Sequence, residues 1–227
     1  MTVGMTLSQA SVSPASSWNA LVVEWLAGLF MAPLSANAVM SHRDGLGASF
    51  LGVLADEHGC GPGVQRMRSA LAADDSPVAV AGKLAFAFAV LFDGLGGHRT
   101  VSLYESAHVS ASGRLFQAPV SEMNLLLRQA DISINDTFRE PPDHLSIELA
   151  LLAQLMRRGT GRHAQAELLD DHLLAWVPMF VERCRDADST GFYAGAAWVL
   201  SEFLRAQRTA LQASMAMVPT PELHRLG

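Results

Sequence analysis

Glu140-Pro141-Pro142-Asp143-His144-Leu145-Ser146-Ile147-Glu148-Leu149 reads as a rigid corner that opens into a helix. Proline holds φ at about −65° and drives the residue before it out of the helical region, so no helix runs through from Arg139. Behind the corner, Leu145, Leu149, Leu152, Ala153 and Met156 keep helical spacing, which predicts an amphipathic helix over 144–158 with Asp143 as its N-cap. The corner therefore delivers an Asp-His pair onto a first helical turn, where we expect both side chains to be exposed and held by backbone geometry.

Working outward, the upstream segment 130–143 is polar (Asp131, Ser133, Asn135, Asp136, Thr137 and the two prolines) and long enough to act as a hinge. It is the expected boundary between two helical subdomains, 18–130 and 144–211. Residues 1–17 read as a frayed terminus and 212–227 as a loose tail.

In the first subdomain, Trp18, Leu21, Val22, Trp25, Leu26, Leu29 and Phe30 build one stripe of a helix over 18–31. Ser35 can cap a short helix to 41, and helices are expected at 48–57 and 64–73. Ser76-Pro77 is a cap followed by proline at the first helical position, ahead of a helix over 78–92. That helix is apolar on nearly every side, which predicts a central place in the domain with Phe86, Phe88 and Phe92 in the core. Residues 98–118 read as loop and short helical turns, and 120–129 as a helix. Beyond the corner, helices are expected over 164–176, continuing with a kink past Pro178, and over 189–208 from a capping region at Asp188-Ser189-Thr190. The class is all-α: a multi-helix bundle with no plausible strand partners.

Composition narrows the function. The 227 residues carry 16 basic and 22 acidic side chains, a net charge of −6, which excludes polyanion binding as the main activity and suits a cationic partner. Cys60 and Cys184 stand alone, so neither a disulfide framework nor a four-ligand zinc site is spelled out, and a reducing cytoplasm follows. The apolar stretch Leu21–Phe30 with Ala36-Asn37-Ala38 imitates a signal peptide, but residues 1–41 contain no lysine or arginine. No run reaches about 18 apolar residues, so no membrane insertion is expected.

Enzyme readings find little support. The only lysine, Lys83, lies inside an apolar helix and not behind a glycine-rich loop, so a P-loop is absent. Gly94-Leu95-Gly96-Gly97 follows a helix and does not make a dinucleotide fingerprint. No G-x-S-x-G elbow exists for Ser106. One alternative stays open: His144 and Glu148 are four apart on one helical face beside Asp143, the spacing of a metal-dependent helical hydrolase. No cofactor is expected otherwise.

The corner, together with Tyr104-Glu105-Ser106-Ala107-His108 and the later Phe192-Tyr193-Ala194, resembles the TorD/DmsD/NarJ family of redox-enzyme maturation chaperones and most of all its TorD branch. The resemblance covers about residues 18–208. It implies an all-helical cytosolic chaperone, monomeric or a domain-swapped homodimer. The partner it implies is a molybdoenzyme precursor, held by its twin-arginine leader and its unfilled core before export. On this resemblance Asp143 and His144 match the motif implicated in leader recognition, Glu140, Pro141 and Glu148 match framework positions, and Tyr104 and Ser106 match the tyrosine box. Residues 98–104 lack the proline and tryptophan of DmsD-like members, so a DmsD-type aromatic pocket is not implied. A leader of this kind needs an apolar groove and an acidic rim, for which Glu140, Asp143, Asp136 and Asp131 are the candidates.

Overall fold

The computed structural model describes residues 14–72, 76–109, 118–134, 140–159 and 161–216, and among these the chain is helical with no strand. The first half supplies α1 (Pro14–Met31), α2 (Ala36–Asp44), α3 (Leu46–Ala55), α4 (Gly61–Leu71), α5 (Pro77–Leu91), a short α6 (Ser106–Val109) and α7 (Ala118–Gln129). The second supplies α8 (Leu145–Arg158), α9 (Arg162–Glu167), a π-helical stretch Leu168–Leu173, α10 (Leu174–Ala187) and the long α11 (Phe192–Ala216). The caps follow local chemistry. Ser35 accepts the Ala38 N–H at 3.2 Å and Ser76 the Ala79 N–H at 3.2 Å, each giving a helix's free first-turn donors a partner. Asp188 accepts from the Thr190 and Ala194 N–H groups at the start of α11, as its capping region predicts.

The principal packings join the two halves: α1 lies against α8, and α4 against α11. The α4–α11 approach is backbone on backbone, since a Cβ on Gly195 would stand 2.6 Å from the Gly63 carbonyl. Arg157 of α8 pairs with Glu24 of α1, and Arg208 of α11 grips Asp170 with two bonds of 2.5 Å. The buried apolar residues form one continuous cluster that includes Leu26 and Phe30 of α1, Met67 of α4, Leu149 of α8, Phe180 of α10 and Phe203 of α11. Cys60 and Cys184 are free and buried, and burial pushes the Cys60 thiol up to about 12, helped by Glu202 and Glu57.

Several sequence expectations are corrected. α5 is not central: Phe86 is 65% and Val78 70% exposed, while Val80, Leu84, Ala87, Phe88 and Leu91 face inward. Uniform apolarity gave no phase for this helix. The helix expected over 164–176 is interrupted by the π-helical stretch, and Pro178 sits inside α10. α11 runs to Ala216, beyond its expected end at Arg208 and into the expected tail.

Candidate functional site

The corner is held by the tyrosine box. An isolated antiparallel bridge pairs Tyr104 with His144: the Glu105 N–H donates to the Asp143 carbonyl at 3.0 Å and the Leu145 N–H to the Leu103 carbonyl at 2.8 Å. Two segments about forty residues apart thus share one short ladder, and their side chains fall into two layers.

The inner layer is a buried polar network. Asp143 does not cap α8, as the sequence suggested; its Oδ2 accepts the Ser106 N–H at 3.2 Å and so serves α6. His144 caps α8 instead, its Nδ1 accepting the Ser146 N–H at 3.2 Å, which leaves the ring proton on Nε2. Burial lowers the His144 pKa, against the pull of Glu140 and Asp143, so the ring stays neutral as that cap requires. The Ser146 hydroxyl reaches across to the Ala27 carbonyl of α1 at 2.9 Å. Glu148 is fully buried and accepts the Trp176 N–H at 3.2 Å. Burial, and then the charge of Glu105, raise its pKa well above the ordinary carboxyl range and favour its protonated form, while its second oxygen, Oε1, has no hydrogen-bond partner among the described residues. Glu105 in turn meets His172 Nδ1 of the π-helical stretch at 2.8 Å. Burial alone would lower the His172 pKa; the Glu105 bond and charge, with Glu122 and Asp171, outweigh it and raise it. The cluster gathers two carboxyls and an imidazole away from water, where burial favours a proton on Glu148 and the Glu105 carboxylate favours one on His172.

Asp143 and His144 are therefore buried, at 1% and 5% exposed, and not exposed as expected at a helix start. The bridge to residues 103–105 covers them. Ser106 and Glu148 are buried too, so of the expected partner-binding residues only Tyr104, Glu140 and Pro141 reach the surface. Pro141 is half-buried and its carbonyl accepts the His144 N–H at 3.0 Å, which closes the corner. Asp131 lies exposed just past α7 in the left-handed region, with φ of 52°, and does not line the pocket described next; Asp136 lies outside the described residues. His144 and Glu148 do not act as a ligand pair, because His144 packs against Tyr104 and Glu148 points to Trp176 and Glu105. Among the described residues no group of three His, Cys, Asp or Glu side chains is placed to hold a metal ion.

The outer layer is a pocket of about 100 Å³. Its apolar floor comes from Phe30, Phe88 and Phe92, and its polar wall from Tyr104, Glu140 and His144. The Tyr104 ring stands edge-on to His144 with centroids 5.2 Å apart, and its hydroxyl donates to Glu140. Burial, with the Glu140 bond and charge, raises the Tyr104 pKa, so the phenol keeps its proton. Asp93, at the end of α5, completes the rim and is exposed. Sequence reasoning missed Asp93, Glu105, His172 and Trp176. Glu105 lay inside the quoted tyrosine box, but nothing in the spacing joined it to His172, which only the fold brings within reach.

Residues 57–182 match the family model described as nitrate reductase delta subunit. The chain is 29% identical over 197 residues to the chaperone protein TorD of Vibrio cholerae serotype O1, covering 82% of this chain and 89% of that protein. It is 32% identical over 191 residues to that of Aeromonas salmonicida (79% and 85%), and 28% over 198 residues to that of Ferrimonas balearica (85% and 89%). These relatives are named as chaperones and not as enzymes. With a matched family model across more than half its length and an all-helical fold to suit it, the chain belongs to the nitrate reductase delta subunit family, in which its relatives include the TorD chaperones.

Proposed function

We propose that this protein is a cytoplasmic chaperone that holds a molybdoenzyme precursor of the trimethylamine oxide or dimethyl sulfoxide reductase type. It binds the twin-arginine leader and the apo form, and assists insertion of the molybdenum cofactor before export. The observation that carries the reading is the acid-rimmed aromatic pocket at the corner, set on a rigid bridge and open at Tyr104 and Glu140. Family membership supplies the class of activity, and the pocket suits a cationic peptide. At about 100 Å³ the pocket is well below the ~300–1,000 Å³ of small-molecule sites, which favours capture of a side chain over capture of a free substrate.

Calorimetry with a twin-arginine leader peptide tests this. Glu140→Gln removes a surface charge without touching the buried network and is expected to weaken binding about tenfold, which corresponds to ~1.4 kcal/mol. No binding to the unaltered protein would end the proposal. Asp143→Ala and His144→Ala are poor probes, because each removes the partner of a helix's first-turn N–H.

A further inference from the structure

The pocket at the corner lies where two helices end. Phe30 and Met31 are the last residues of α1, while Phe92 caps the carboxyl end of α5 and Asp93 follows it. Helix carboxyl termini carry partial negative charge from carbonyls that lack a following N–H. At α5 the Ala89, Val90 and Leu91 carbonyls accept the Leu95, Gly96 and Val101 N–H groups, so only the end of α1 adds such charge to an opening that carries two carboxylates, Asp93 and Glu140. Among the described residues neither is paired with a lysine or arginine, and no basic side chain lines the opening except His144. His144 is the N-cap of α8, and its Nδ1 is already committed to the Ser146 N–H, so it contributes a neutral ring. The nearest positive helix end, that of α8, is thus partly quenched at the pocket wall.

A site so assembled suits a cation. An ammonium is compact, strongly hydrated and indifferent to flat surfaces, whereas a guanidinium is planar, pairs with carboxylate through two parallel bonds and lies well on aromatic faces. Phe92 and Tyr104 supply rings, and Glu140 is fixed in place by the Tyr104 hydroxyl. We propose that this pocket takes a single arginine side chain between Asp93 and Glu140, at the carboxyl ends of α1 and α5, with Asp93 as a specificity-determining residue. It rests on the leader-binding reading only for the owner of that arginine. One arginine of a pair enters; the other stays outside, since about 100 Å³ does not hold two.

The test uses the intact protein and L-argininamide as probe, followed by the chemical shifts of ring-labelled tyrosine. Tyr104 is expected to shift on titration with argininamide, at least fivefold less with lysinamide, and at least fivefold less in Asp93→Asn. Asp93 is exposed, so the variant is expected to fold, and Tyr193 deep in the core gives a control resonance. Leader peptides with lysine at the first or the second arginine then report which one enters: one replacement weakens binding at least fivefold and the other changes it less than twofold. Argininamide without effect on Tyr104, or with equal effect in Asp93→Asn, overturns the inference, as does equal loss from both replacements. If argininamide shifts Tyr104 while the leader does not bind, the cation pocket stands and the chaperone reading falls.

Discussion

At the scale of residues, the corner does two jobs with one short run of sequence. Tyr104 and Glu140 face outward, whereas Asp143, His144 and Glu148 turn inward and join α6, α8 and α10. The inner cluster has a consequence for pH. Both Glu148 and His172 are raised in the folded state, so their stabilisation is complete below their unfolded values, about 4.3 and 6.5, and is lost as pH rises toward the folded ones. His108 and His144 are lowered, chiefly by burial, so they act in the opposite sense and erode stability as pH falls below about 6.5. Glu148→Gln keeps an acceptor for Trp176 but cannot ionise. Urea unfolding followed from about pH 4.3 upward is expected to show a flatter decline for this variant, while Glu148→Ala costs roughly 2–4 kcal/mol at pH 7. Equal slopes for Gln and the natural residue would mean that Glu148 does not hold the proton.

At the scale of elements, α4 and α11 meet where neither carries a side chain. A methyl at Gly195 would also come within 2.9 Å of Met67, and one at Gly63 within 2.8 Å of Val199. Gly195→Ala is therefore expected to lower stability by about 1–3 kcal/mol, read from the urea midpoint, although alanine favours a helix. No loss would mean that the helices separate freely. Local signals carried most element positions: Ser35, Ser76-Pro77 and Asp188 mark helix starts because a capping oxygen works over six residues or fewer of chain. Long-range signals were silent. The phase of α5 depends on what packs against it, and no periodicity in Val78–Phe92 distinguishes Phe88 from the exposed Phe86. The site was legible in part for the same reason. Corner and tyrosine box stand out as motifs, but which faces in and which faces out was set by their mutual bridge, a pairing between distant segments.

At the scale of the whole molecule, α1 on α8 and α4 on α11 cross the 131–143 connector proposed as a hinge. A chain that opened there would expose two large apolar faces, and a second opened chain offers the same complementary faces. We expect light scattering to show a dimer that forms slowly at high concentration or after mild denaturation; monomer alone under all such conditions would remove the connector as a hinge.

The α1–α8 pairing also sets an order of events during synthesis. α1 leaves the ribosome more than a hundred residues ahead of the helix that will cover it, with Val22, Leu26, Leu29 and Phe30 bare in the interval. Contacts so distant along the chain slow folding, and partly made chains with uncovered apolar stripes are prone to clump. A protein proposed to shelter unfinished clients thus passes through its own unsheltered infancy.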